Sequence, residues 1–223
     1  MFPLKDTQPS YTRPVVTLAL IAVNLLVFVF EYSLGSPTLN AFIEYYGLVP
    51  DHFQVSRVFT SMFLHGGWLH VLLNMWFLWI FGDNIEDLLG HAKYLVFYLL
   101  CGAVAGLGQV IANPYSTVPM VGASGAIAGV MGAYLIKFPR ARILTLVFVV
   151  FFITTIEIPA PIMLVYWFVT QLFSGFGSIA QTHISQGGTA FFAHIGGFVA
   201  GIVLVKLMGA TGQYNRRRDR YWE

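Results

Sequence analysis

Charged residues are scarce in this chain. Only 10% of its 223 residues are Asp, Glu, Lys or Arg, whereas water-soluble domains carry about a quarter. Hydrophobic residues make up 57%, and this composition excludes an ordinary water-soluble domain and predicts a membrane protein. The net charge of +2 is too small to indicate nucleic-acid binding. The single cysteine, Cys101, excludes an intramolecular disulfide.

The hydrophobic residues fall into six runs that are candidates for membrane-spanning helices, which need about 20 mainly apolar residues. They predict an all-α polytopic membrane protein, a bundle of six transmembrane helices with a long loop, Gly35 to Gly67, between helices 1 and 2. We expect a short cytoplasmic segment (1–14), a six-helix domain (15–209) and a basic cytoplasmic tail (210–223). The runs, of which the fourth is the shortest, extend over residues 15–32, 69–85, 94–111, 124–138, 162–179 and 191–208.

One further apolar run, Ile143 to Ile158, could be counted as a seventh span. Basic residues concentrate on the cytoplasmic side of membrane proteins, and six spans place all the basic clusters of this chain on one side. With a seventh span, the basic C-terminal tail would lie on the outer side of the membrane, and His194 would lie at the opposite membrane face from Ser124. We therefore expect this run to lie at the interface or to fold back against the bundle. Its β-branched residues suit a hairpin, although periodicity does not distinguish a hairpin from a buried helix.

Two polar side chains, Ser124 and His194, stand at the starts of the fourth and sixth runs. In the six-span topology both runs begin on the outer side, so we expect the two residues at similar depth. A serine hydroxyl needs a base to become a nucleophile, and histidine suits that task near neutral pH. Glycines at helical spacing follow both residues and would let the two helices pack closely. The alternatives are a serine bonded to its own backbone and glycines that serve packing alone.

His70 and Asn74 lie four residues apart and so project from one face of the second helix. Acyl transfer passes through an oxyanion that fixed hydrogen-bond donors must stabilise, and these side chains could donate. Alternatively, they bond to the backbone of the long loop and hold it in place. No carboxylate stands out as a third catalytic member, because the acidic cluster at residues 83–87 falls on the cytoplasmic side. The sequence therefore predicts a serine–histidine dyad, with no cofactor and no metal ion.

Three motifs occur in order along the chain: His70-Val71-Leu72-Leu73-Asn74, Gly122-Ala123-Ser124-Gly125 and Ala193-His194-Ile195-Gly196-Gly197. They resemble the H-x-x-x-N, G-x-S-G and A-H-x-x-G motifs of the rhomboid intramembrane serine proteases, and the likeness covers nearly the whole chain. The resemblance implies a six-helix core, a dyad of Ser124 and His194, and an oxyanion hole from His70, Asn74 and the Ser124 backbone N–H. It also implies substrates that are transmembrane segments, cut near the outer face of the membrane.

The same resemblance assigns roles to two connecting segments. Gly35–Gly67 would be the membrane-embedded loop beside the active site, and Thr182–Thr189 would be the flexible cap over it. Many family members carry a tryptophan before the arginine of the first loop, where this chain has Ser56-Arg57. We expect Arg57 to brace the loop, with a partner that the sequence does not name.

A second departure concerns the catalytic histidine. Four residues after the nucleophile the family often has an aromatic residue that stacks on the histidine, and here that position is Ala128. Phe192 and Tyr134 are the candidates to pack against His194 instead. We expect activity to survive, because stacking orients the imidazole whereas the dyad performs the chemistry.

Two other functions fit part of the sequence. A catalytically silent rhomboid-like protein would bind transmembrane segments without cutting them, but such proteins typically lack the serine or the histidine. A small transporter could use buried polar residues as a pathway, yet no inverted internal repeat is evident.

The expected location is a prokaryotic plasma membrane, with both termini in the cytoplasm. The leading segment, residues 1–13, is short and polar, so no cleavable signal peptide is predicted. The expected partners are the lipid bilayer and transmembrane protein substrates.

Overall fold

The structure is a computed structural model that describes residues 2–149, 152–180 and 190–209. Its described part is mainly helical, with a small sheet at one end of the helices. The strands are β1 Phe2–Asp6, β2 Arg142–Val149 and β3 Phe152–Pro159. The helices are α1 Val15–Ser33, α2 Ser36–Tyr46, α3 Val55–Thr60, α4 Trp68–Leu89, α5 His91–Ala112, α6 Ser124–Lys137, α7 Ala160–Ala180 and α8 Phe191–Leu207.

Each of the six predicted apolar runs forms a helix, and these are α1 and α4 to α8. By length and hydropathy, α1 and α5 each suffice to cross a bilayer. The segment Val55–Phe63 and α4 meet the same criteria together, although they are bent by 91° at the break between them. α6 and α8 are shorter apolar helices of 14 and 17 residues. The predicted mainly helical, apolar architecture is confirmed, and the count of six spans stays a prediction.

The long segment between α1 and α4 is folded and contains α2 and α3. The hydroxyl of Thr60 donates to the carbonyl of Tyr46 at 2.6 Å, which ties the end of α3 to the end of α2. Leu48 and Met120 exchange two backbone hydrogen bonds of 3.0 and 2.8 Å. This segment is therefore fastened to the stretch of chain that leads into α6.

The run whose conformation the sequence left open is a β-hairpin. β2 and β3 pair antiparallel along their whole lengths, and β1 joins the other edge of β2 to give the strand order β1-β2-β3. The β-branched side chains of Ile143 and Thr145 are fully buried, as expected for residues that favour a pleated, half-covered surface. β1 was not predicted, because a five-residue segment that contains Pro3 carries too weak a pattern.

Glu86, near the end of α4, holds the start of α1. Its carboxylate accepts the backbone N–H groups of Val16 and Thr17 at 2.8 and 2.7 Å and the Thr17 hydroxyl at 2.7 Å. The first N–H groups of a helix have no partner within the helix, so a buried helix start needs such an acceptor. This contact places the start of α1 and the end of α4 at the same end of the bundle.

α6 lies at the centre of the helices, with every residue from Gly125 to Tyr134 buried. Its glycines meet the glycines of α8 backbone to backbone. A Cβ atom on Gly201 would overlap the carbonyl oxygen of Gly129, and one on Gly197 would overlap that of Gly125. Only residues without a side chain allow helices to approach this closely. The glycine spacing that the sequence displays therefore sets the distance between α6 and α8.

Gly201→Ala should destabilise the protein by about 1–3 kcal/mol, the usual cost of forcing extra volume into a packed interior. Chemical denaturation in detergent measures this loss. Gly35→Ala is the matched control, since nothing lies within 4 Å of a Cβ at that glycine. Equal stability of the Gly201 variant, the control and the unmodified protein would contradict the close contact.

Asp6 joins β1 to the central helix, because the hydroxyl of Tyr134 donates a hydrogen bond to its carboxyl group. Burial raises the pKa of Asp6 from 3.8 to about 7, the Tyr134 bond lowers it in part, and the nearby charge of Asp83 raises it. A folded-state pKa above the unfolded value favours the protonated acid in the folded protein. The stability that this group contributes is therefore complete below about pH 4 and is lost as the pH rises through about 7.

Asp6→Asn should flatten the pH dependence of stability, because asparagine still accepts from Tyr134 but never acquires a charge. The thermal midpoint should fall more between about pH 5 and about pH 8 in the unmodified protein than in the variant. Glu44→Gln changes an exposed residue on α2 and serves as the control. The thermal midpoint of this variant should fall with pH as much as that of the unmodified protein. The same change of thermal midpoint with pH in all three proteins would contradict the role of Asp6.

Candidate active site

Ser124 is the first residue of α6, and the turn before it requires a glycine. Gly122 has a φ of +124°, a backbone conformation that residues with a side chain rarely adopt. Its N–H donates to the carbonyl of Ser61 at 2.9 Å, so the turn is anchored to the long loop. The serine hydroxyl consequently sits at the start of a buried helix, where the helix dipole favours negative charge.

His194 lies in the first turn of α8 and meets Ser124 directly. Its Nε2 atom is 2.8 Å from the Ser124 Oγ atom, and the histidine is only 8% exposed. The structure thus brings together the two residues that the sequence predicted to pair. The alternative, a serine bonded to the carbonyl four residues back in its own helix, fits less well, because Ser124 is the first residue of α6 and Met120 lies before the helix. The catalytic role of the pair stays a prediction.

The side chains of His70 and Asn74 lie next to Gly122, on the side where other residues carry a Cβ atom. A Cβ atom built on that glycine would be 2.7 Å from His70 Nε2 and 3.6 Å from Asn74 Nδ2. His70 Nδ1 accepts a hydrogen bond from the Gly66 N–H at 3.4 Å, so the ring proton belongs on Nε2. Within the described part of the chain, the buried Asn74 Nδ2 has no hydrogen-bond partner. Two N–H donors therefore face the turn that carries Ser124.

Among the described residues, His194 has an aromatic neighbour in Trp167 on α7, a residue that the sequence did not single out. The two ring centroids are 5.7 Å apart and the planes are inclined by 39°. Tyr134 was the wrong expectation, because it lies ten residues, about 15 Å, along α6 from Ser124 and packs against Phe81 and Phe138. Phe192 precedes His194 by two residues on the same helix, a spacing at which side chains do not face each other.

Two other expectations concern the connecting segments. Arg57 lies on α3 in the long loop, and its Nε atom is buried with no hydrogen-bond partner among the described residues. The expected cap Thr182–Thr189 lies outside the described residues. No group of three or more His, Cys, Asp or Glu side chains that could hold a metal ion occurs in the described ranges.

Comparison with known proteins identifies the family. The Rhomboid domain family matches residues 52–211. YdcA of Bacillus subtilis is 33% identical over 138 residues, which are 60% of this chain and 69% of YdcA. The rhomboid protease GluP of the same organism is 28% identical over 211 residues, 92% of this chain and 37% of GluP. Rhomboid protein 1, mitochondrial, of Saccharomyces cerevisiae is 28% identical over 206 residues, 90% of this chain and 55% of that protein.

The family match covers most of the chain and includes both Ser124 and His194. The chain spans about two thirds of YdcA but much less of GluP and of the yeast protein. The apolar helices and the matched domain together define an integral membrane protein. The chain therefore belongs to the rhomboid family.

Proposed function

We propose that this protein is an intramembrane serine protease that cuts transmembrane segments of other membrane proteins. The observation that carries the proposal is the distance of 2.8 Å between His194 Nε2 and Ser124 Oγ. A nucleophile and its base must lie within hydrogen-bond reach, and this distance falls in the required range. Protease-named relatives such as GluP support the same function.

In the proposed reaction, His194 Nε2 accepts the hydroxyl proton while Ser124 Oγ attacks the scissile carbonyl carbon. The carbonyl oxygen becomes an oxyanion, which His70 Nε2–H, Asn74 Nδ2–H and the Ser124 backbone N–H stabilise. His194 then returns the proton to the leaving amine as the C–N bond breaks. Water hydrolyses the remaining ester and regenerates the free serine.

The environment of the pair supports this reaction. His194 is 8% exposed and packs against Trp167, which restricts the imidazole to orientations near the serine. Fixed donors act more strongly in such a water-poor site than in water. A regular helix hides its carbonyl groups, so the substrate must unwind locally. We expect substrates to contain glycine or proline near the cut.

We propose that α1 and α4 to α8 are the six membrane spans, with both termini on the cytoplasmic side. The contact between Glu86 and the start of α1 supports the antiparallel arrangement of α1 and α4. Bacillus relatives support a bacterial plasma membrane, while the yeast relative is mitochondrial by name. The site would then open towards the outer face, where the expected cut lies.

Ser124→Ala should abolish cleavage of a transmembrane reporter substrate in liposomes, with a loss of at least about 10⁴-fold in turnover. Ser56→Ala is the matched control, because it removes an exposed serine hydroxyl from α3 without touching the site. Gel analysis of the products measures both variants. Turnover of the Ser124 variant at the rate of the control would exclude Ser124 as the nucleophile and overturn the proposed serine-protease mechanism. Substrate binding without cleavage by the unmodified protein would favour a catalytically silent binder.

A further inference from the structure

A buried acid on the first helix lies close to the proposed site. Glu31, near the end of α1, is 1% exposed. Its two carboxyl oxygens lie 3.2 and 3.4 Å from the backbone nitrogen of His65, which donates to them. A carboxyl group in an apolar interior costs free energy unless it has partners. The His65 N–H is therefore the contact that Glu31 is placed to make.

The turn that Glu31 holds leads directly to His70. The next residue, Gly66, donates its N–H to His70 Nδ1 at 3.4 Å. The His65 ring also packs edge-on against the His70 ring, with centroids 5.1 Å apart and planes inclined by 69°. The turn thus contacts His70 in two ways, once through a hydrogen bond and once through ring packing.

The His65 ring does not hold this turn through its own nitrogens. His65 is 2% exposed, and among the described residues both of its ring nitrogens are buried without a hydrogen-bond partner. Its edge-on contact with Phe28 of α1, at 6.5 Å between centroids, is apolar. The backbone bond to Glu31 is therefore the directional restraint on residue 65.

We propose that Glu31 is a positioning residue that keeps His70 ready to donate to the oxyanion. Glu31 fixes the turn at residues 65–66, the Gly66 N–H occupies Nδ1 of His70, and the ring proton stays on Nε2, facing Gly122. A ring whose proton moved to Nδ1 would present a lone pair to the oxyanion and repel it. This inference rests on the proposed protease function, but the ring state of His70 can be measured without cleavage.

Kinetic measurements test whether Glu31 supports catalysis. Glu31→Leu should lower kcat for the transmembrane reporter by about tenfold, less than the loss of a whole oxyanion donor, and leave KM within about twofold. Glu31→Gln keeps an oxygen acceptor for the His65 N–H and should stay within about threefold of the unmodified kcat. Asn24→Leu is the matched control, because buried Asn24 lies on the same helix and, among the described residues, its side chain bonds to the Leu20 carbonyl of that helix and to no other element.

Loss of kcat in the Asn24 variant equal to that in Glu31→Leu would show general damage to α1 and overturn the proposal. An unchanged kcat in Glu31→Leu would overturn it as well. A kcat of Glu31→Gln as low as that of Glu31→Leu would also overturn the proposal.

¹⁵N NMR of histidine-labelled protein tests the ring state of His70, with His70→Gln used to assign the signal. In the unmodified protein, His70 should show a protonated Nε2 and an unprotonated Nδ1, and Glu31→Leu should mix the two tautomers. A protonated Nδ1 in the unmodified protein would overturn the proposal even if no Glu31 variant folds. Failure of the unmodified protein to cleave would instead remove the proposed function and leave the tautomer result standing.

Discussion

The backbone contact between α6 and α8 is the constraint on which the candidate site depends. Gly201 and Gly197 lie against the carbonyl groups of Gly129 and Gly125 with no room for a side chain. Ser124 and His194 occupy the starts of these two helices, where the hydroxyl and the imidazole meet at 2.8 Å. A short side chain such as serine reaches a partner on another helix only when the backbones approach closely. The contact between Ser124 and His194 thus requires the glycine spacing in α6 and α8.

Buried polar groups fix the parts of the chain that surround this contact. Glu86 satisfies the first N–H groups of α1, and Glu31 accepts from the loop beside His70. In an apolar interior an unpaired carboxyl group is costly, so each of these acids specifies one position for the backbone that it binds. The long loop, α1 and α4 are consequently held together by few but directional bonds.

The sequence predicted the elements whose pattern is local. Each of the six apolar runs forms a helix, because helix formation and length follow from local hydropathy. Ser124 and His194, the polar residues at two helix starts, lie within hydrogen-bond distance, as expected. The partners of His194 and of the long loop were not predictable in this way. Trp167 reaches His194 only through the packing of α7 against α8, and β1 forms only because the hairpin supplies an edge. The turn that orients His70 likewise depends on Glu31, far away in the chain.

The central claim is that His194 activates Ser124, and a fluorophosphonate reagent tests it most directly because the reagent modifies only activated serines. The purified protein should be labelled, and mass spectrometry should place the adduct on Ser124. His194→Ala should abolish labelling, while Trp167→Phe should retain it, since an aromatic ring still packs on the imidazole. Labelling of Ser124 at an equal rate without His194, or an adduct on another serine, would contradict the account.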